Sequence, residues 1–272
     1  MGRQEYIDIF EDTMHLCKTD EQLKRSLEES LEKQYFLPES APLILKAEPK
    51  EKPAEVTVSQ KRTFEAAEAY KGKRVCVLNF ASSKNPGGGV ERGASAQEEC
   101  LCRVSTLFPC LTDEGIMNSF YIPHRTMFRD TLYNSDIIFT PGVTVFKSDT
   151  NMPALRPRDE WFTADVITCA APNLGAYTRL DHKSLEKLHT ERGERIFLTA
   201  INEGAEVLIL GAFGCGAFRN PPAAVAGAYR TLTGKYAAYF DKIEYAVYCP
   251  PKNTSNYSAF RNTLAPVITS EG

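Results

Sequence analysis

The chain lacks any long apolar run. No stretch of its 272 residues approaches the roughly 20 apolar residues that a bilayer-spanning helix needs, and the opening MGRQEYIDIFEDT has no apolar segment of the secretory kind. Positive charge is not in excess either. Lys and Arg number 32 against 35 Asp and Glu, a net charge of -3, and no long basic run occurs. A broad cationic surface for nucleic acid is thereby excluded, and an anionic ligand must be held by local devices such as helix N-termini. Cys-x-x-Cys is absent, and the four histidines do not combine with the cysteines at zinc spacing, so no metal site is expected. Gly-x-Ser-x-Gly is also missing, and no histidine lies near the glycine loops, which speaks against Ser-His and Cys-His nucleophiles. The eight cysteines are scattered, several inside apolar runs, as expected of reduced, buried thiols in a cytoplasmic protein.

What is present is an ordinary globular composition, 43% hydrophobic and 25% charged, at a length that suits one large domain or a domain with an extension. Residues 1 to about 36 read as helix in two parts, with Thr19-Asp20 supplying a capping residue between them. A proline-rich connection follows (Pro38, Pro42, Pro49, Pro53), with LILKA as a short strand candidate. VTVSQKRTFEAAEAYKG runs from strand to helix and stops at Gly72. KRVCVLNFA and EVLILGAF carry continuous apolar runs, as strands covered on both faces do. Each leads into a glycine loop and then a helix. DIIFTPGVTVF reads as strand, Pro-Gly turn, strand; WFTADVITCA and YAVYCP as strands; LHTERGERIFLTAINEG and PAAVAGAYRTLTGKYAAYF as helices. Strands alternating with helices predict an α/β fold with its ligand site at the carboxyl ends of the strands.

Two loops could hold one ligand. In AFGCGAFRNPP, Gly211, Gly214 and Gly216 follow neither the dinucleotide order nor the P-loop order. The junction reads either as a phosphate cradle of backbone N–H groups or as a tight turn, with Asn220 capping the next helix and Pro221 in its first turn. In NPGGGVERGASAQEE, Gly87, Gly88 and Gly89 are followed after seven residues by Gln97, Glu98 and Glu99. Ser95 and Glu98 have the spacing of a capping box, which gives Glu98 a structural role. Glu99 caps nothing and is left for chemistry. Neighbours on one helical turn cannot flank a glycosidic bond as paired glycosidase carboxylates do, so the arrangement fits a single acid/base carboxylate with Glu98 orienting sugar hydroxyls.

GGG, a gap of seven and QEE resemble the signature of the poly(ADP-ribose) glycohydrolases, and NFASSKNPGGG with GCGAFRNPP resembles their bacterial-type branch. The resemblance extends over roughly residues 55 to 265. It implies a three-layer α/β/α macrodomain with a mixed central sheet over residues 51–272 and a helical extension over 1–50 packed on the core. It further implies hydrolysis of the ribose–ribose bonds of poly(ADP-ribose) to ADP-ribose without a cofactor, on the free polymer or on ADP-ribosylated proteins. Glu99 becomes the catalytic acid and Glu98 the ligand of the ribose hydroxyls. Gly87, Gly88 and Gly89 wrap the terminal ribose and diphosphate, and Gln97 fixes the loop. Gly214, Cys215, Gly216 and Ala217 bind the diphosphate, with Phe218 against the ribose. Other branches carry Asn five residues before the triplet, where this chain has Ser82; Asn85 is the substitute. Tyr257 or Phe260 is the candidate for stacking adenine. A macrodomain that only reads ADP-ribose, or one that removes single ADP-ribose units, remains the alternative.

Overall fold

The structure, a computed structural model, describes residues 2–126, 131–176, 180–250 and 252–269. Helices α1 (Arg3–Thr19) and α2 (Glu21–Lys33) open the chain. Of the expected Thr19-Asp20 pair it is Asp20 that caps, its carboxylate accepting the N–H groups of Gln22 and Leu23 at 3.0 and 3.2 Å. Strand β1 (Tyr35–Leu37) follows, then β2 (Glu55–Ser59), α3 (Thr63–Glu68) and β3 (Val75–Ala81). Helices α4 (Gln97–Val104), α5 (Leu107–Leu111), α6 (Glu114–Ile116) and α7 (Ile122–Thr126) precede β4 (Ile137–Val145) and β5 (Phe162–Ala170). The chain ends with α8 (His182–Asn202), β6 (Val207–Leu210), α9 (Pro222–Tyr236), β7 (Lys242–Ala246) and α10 (Ser255–Leu264).

One sheet of seven strands runs in the order β1-β4-β5-β3-β6-β7-β2. From β5 to β2 its neighbours are parallel, while β4 is antiparallel to both β5 and β1. Alternation along each strand separates two apolar layers. Cys76 and Leu78 of β3 face Ile196 and Phe197 of α8, Tyr229 of α9 and Phe260 of α10. Val75 and Val77 face Phe64 of α3, Leu101 of α4 and Leu107 of α5, with Phe10 of α1 beyond. A mixed sheet with helices on both faces is the three-layer arrangement expected from the sequence, although β1, from within the first 50 residues, is itself a strand of that sheet.

Two local expectations are corrected. LILKA makes no strand: Leu43, Leu45 and Ala47 pack on the core, but the backbone at Ile44 and Lys46 bonds the side-chain amide of Asn202 at 2.9 and 3.0 Å instead of a ladder. TPGV is no hairpin turn. It is a bulge between Thr140 and Val143 inside the single strand β4, with β5 paired on either side of it.

Candidate active site

β3, β6 and β7 end on the same side of the sheet, and the segments that leave them line a cavity of about 340 Å³. Its walls include Ser82 and Gly88 after β3, Gln97, Glu98 and Glu99 on α4, and Gly214, Gly216, Ala217 and Phe218 after β6. Lys61 and Arg62 after β2, Asp149 after β4, Tyr248 after β7 and Asn256 on α10 also line it.

The glycine triplet folds toward the carboxylates because no side chain fits between. At Gly88, φ is +61°, and a Cβ built there would lie 2.5 Å from Glu99 Oε1 and 3.1 Å from Glu98 Oε2. The two acids thus converge on the backbone of one residue that has no side chain. Gln97 fixes where they start: its Oε1 accepts the Phe80 N–H at 2.8 Å, and its Nε2 donates to Leu78 O at 2.8 Å and Thr63 Oγ1 at 3.0 Å. One amide therefore ties α4 to the end of β3 and to α3.

Glu98 is buried, its Oε2 accepting the Ser82 N–H at 2.7 Å and its Oε1 lying 3.4 Å from Asn79 Nδ2. Burial pushes its carboxyl up to about 8; the Ser82 N–H opposes this, and the charge of Glu99 adds to it. The expected capping box does not form. Ala96 is the N-cap of α4 and makes no side-chain bond, because Glu98 turns to the N–H and amide donors around the end of β3. Glu99 Oε1 accepts the Gly89 N–H at 2.9 Å, whereas its buried Oε2 has no partner. One oxygen is fixed by the glycine loop and the other is left without a protein donor.

The second loop has the makings of an anion cradle. Among the described residues, the successive N–H groups of Gly216, Ala217 and Phe218 make no hydrogen bond. Such a run of unpaired N–H groups binds phosphate without lysine. Asn220 does not cap α9, whose N-cap is Pro221. It turns inward, donating to Pro172 O and Gly214 O at 2.7 and 3.0 Å and meeting His189 Nε2 at 2.9 Å, so it braces the loop from behind.

Of the residues singled out in the sequence, Gly88, Gln97, Glu98, Glu99, Gly214, Gly216, Ala217 and Phe218 line the cavity; Asn85, Gly87, Gly89, Cys215 and Tyr257 do not. Asn85 is exposed, with its N–H directed to Ser82 Oγ at 3.1 Å. Gly87 and Gly89 shape the turn from behind. Cys215 points to Phe213 O, and burial raises its thiol to about 12. Tyr257 packs against the apolar layer, and Phe260 is fully buried near Tyr229 and Tyr245. Besides Phe80 and Phe218, Tyr248 lines the cavity, its ring 4.2 Å from the Arg62 guanidinium.

Sequence reasoning passed over Asn79, Arg62 and Asp149. Asn79 had a signal, being the lone polar residue in VCVLNFA; it bonds Thr168 Oγ1 at 3.2 Å as well as approaching Glu98. Arg62 donates to Cys100 Sγ at 3.2 Å and to Asn151 Oδ1 at 2.5 Å. Asp149 accepts the Phe64 N–H at 3.0 Å, and burial lifts its carboxyl to about 6 against the pull of Arg62. The partners of Arg62 come from distant segments, which no local pattern reveals. Among the described residues no group of three His, Cys, Asp or Glu side chains is placed to hold a metal ion, and no helix is long and apolar enough to cross a membrane.

Known structures share this architecture. A poly(ADP-ribose) glycohydrolase (PARG) from Thermomonospora curvata superposes with a TM-score of 0.86 at 28% identity, over 96% of this chain and 99% of that one. The same enzyme bound to the inhibitor ADP-HPD gives 0.82 at 26% identity, over 95% and 99%. The PARG from Deinococcus radiodurans in complex with ADP-ribose gives 0.73 at 28% identity, over 89% and 98%. No curated protein matches the chain. The family model described as microbial-type PARG, catalytic domain, matches residues 3–148, more than half of the sequence. By that match, and with an architecture shared almost end to end with solved PARG enzymes, the chain belongs to the microbial-type PARG family.

Proposed function

We propose that Glu99 is the general acid and base with which this glycohydrolase cleaves the ribose–ribose O-glycosidic bonds of poly(ADP-ribose), releasing ADP-ribose. The observation that carries this reading is the asymmetry of its carboxyl group: Oε1 is fixed by the Gly89 N–H, and Oε2 is buried in the cavity wall without a partner. An acid so placed has one oxygen oriented and one that no protein group engages.

The remaining roles follow from where charge and hydroxyls would lie. The diphosphate accepts from the free N–H groups of Gly216, Ala217 and Phe218, and the Phe218 ring rests against the terminal ribose. Glu98 orients the ribose hydroxyls, its proton kept on near neutral pH by burial. Bond breaking builds oxocarbenium character on the departing sugar. Glu99 gives its proton to the leaving 2′-oxygen and then takes one from the attacking water. Acid–base assistance of this kind contributes on the order of 10²–10⁴-fold.

The three-layer mixed sheet supports the macrodomain reading, and the eight free cysteines support a reducing, cytoplasmic setting. ADP-ribosylated proteins are the natural source of the polymer. The decisive variant is Glu99→Gln, which keeps the Gly89 N–H bonded but has no proton to give. It should fold and bind ADP-ribose as the wild type does, and lose about 10²-fold or more of its turnover on polymer. Undiminished turnover in that variant would reject the assignment.

A further inference from the structure

Helix α1 lies outside the cavity, yet it touches the back of the glycine loop at three points. The first is Gly93, in the turn that brings the chain from the triplet to α4. Its φ is +70°, and a Cβ there would run into the backbone carbonyl of Arg3 in the first turn of α1. The second is Arg103 on α4, 1% exposed and, among the described residues, in no salt bridge. Its guanidinium donates to the carbonyls of Tyr6 on α1 (3.2 Å) and Ala94 in the loop, and lies 4.5 Å from the centre of the Tyr6 ring. Thr13 of α1 grips the same residue from its other end, its hydroxyl donating to Arg103 O at 2.6 Å. The third is Phe10, edge-on to Phe108 at 4.9 Å; the Phe108 ring in turn lies where a Cβ on Gly87 would be, 2.6 Å from that position.

From Ala94 the connection runs on to the acid. The Ala94 N–H donates to Gly89 O at 3.1 Å, and the Gly89 N–H donates to Glu99 Oε1 at 2.9 Å. A buried guanidinium that spends its donors on two carbonyls from different segments, with no carboxylate to neutralise it, is an expensive way to fill space. Its geometry is that of a fork joining two backbones.

We propose that Arg103 is a positioning residue for the reaction: it clamps the Gly87–Ala94 loop to helix α1 and so fixes the Gly89 N–H that orients Glu99. The N-terminal helix is then part of the catalytic framework and not a cover over the sheet. This rests on Glu99 being the acid. A misplacement of about 1 Å at a reacting group can cost on the order of 10²-fold in rate, so the clamp should act on turnover. The free N–H groups of Gly216, Ala217 and Phe218 lie on the other loop and should be indifferent to it.

The test compares wild type, Arg103→Met, Arg103→Lys, Gly93→Ala and Glu99→Gln by kcat and KM on polymer, ADP-ribose Kd by calorimetry, and far-UV circular dichroism. Arg103→Met should lose about 10- to 100-fold in kcat, with KM and Kd within about threefold. Arg103→Lys, which keeps a donor but not the fork, should recover part of that loss. Gly93→Ala, whose Cβ would meet Arg3 and whose φ of +70° also strains the turn, should lose kcat in the same direction, and wild-type kcat in it would count against the clamp even if Arg103→Met does not fold. Wild-type kcat in a folded Arg103→Met or Gly93→Ala would overturn the proposal. So would parallel losses of kcat and ADP-ribose affinity, which would make the clamp a support of the whole cavity. Turnover retained by Glu99→Gln would instead remove the acid assignment on which the clamp depends.

Discussion

A carboxyl group buried as deeply as Glu98 is costly to ionise, and that cost is legible as a pH dependence of stability. Its folded pKa of about 8 stands above the 4.5 of an unburied glutamate. Between those values the native chain keeps a proton that the unfolded chain has released. Folding is therefore favoured at low pH and loses up to about 1.4 kcal/mol per unit as pH rises through that window. Asp149 acts in the same sense, but only up to about 6. His189 acts in the opposite sense: burial pushes its imidazole down to about 4 from 6.5, so rising pH favours folding between those limits. Above 6.5 neither has much left to contribute, and Glu98 dominates among these three. Melting temperature measured from about pH 6.5 to 8.5 should fall in the wild type. In Glu98→Gln, which keeps an oxygen for the Ser82 N–H without the charge, the fall should be largely gone. An equal slope in the two proteins would mean that Glu98 is not the group that titrates.

Elements were readable from the sequence where local chemistry alone decides them. The stretches VCVLNFA and VLIL needed only apolar side chains on both faces, and both strands formed as expected. The cap at Asp20 needed only its own carboxylate and the next turn, and it formed too. Expectations failed where a partner distant in sequence made the choice. Leu43, Leu45 and Ala47 alternate with exposed neighbours as a strand would, but Asn202 took the place of a second strand. Pro141-Gly142 has the letters of a turn, but β5 pairs on either side and makes it a bulge. The capping-box letters Ser95 and Glu98 lost to donors supplied by β3. The signature around Glu99 was legible because loop and acid lie within thirteen residues, Gly87 to Glu99, whereas Arg62 and Asp149 reach the cavity from other segments. The cap offers a measurement at this scale. Asp20→Ala removes the acceptor for two N–H groups and the ion pair with Arg158, which is exposed and weak. It should lower unfolding free energy in urea by about 1 kcal/mol, more than Glu21→Ala beside it, whose pair with Lys24 lies on the surface. Equal costs would show that the cap contributes nothing beyond surface charge.

At the scale of the whole molecule, the question is whether the first 50 residues form a separable extension or an integral part of the fold. The contacts favour the second. β1 adds to the sheet beside β4, Phe10 belongs to the same apolar layer as Val75 and Leu101, and the buried Lys147 donates to Ile9 O and Asp12 on α1 at 3.0 and 2.6 Å. The single tryptophan is placed to test this. Trp161 packs with Phe146 at 5.7 Å, in a cluster that also contains Cys17 and Leu16 of α1 and Leu23 of α2. Its fluorescence therefore reports the docking of the N-terminal helices, while far-UV circular dichroism reports helices and strands throughout. An element that only covers the sheet would come away at lower urea than the core, and the fluorescence transition would precede the other. An element that shares the core's apolar layer and its sheet must unfold with it, because separating them exposes both sides of one packed interface. The two transitions should coincide in midpoint and steepness. A fluorescence midpoint displaced to lower urea would make residues 1–50 a unit of their own and would loosen, along with them, the backbone on which the acid of the site rests.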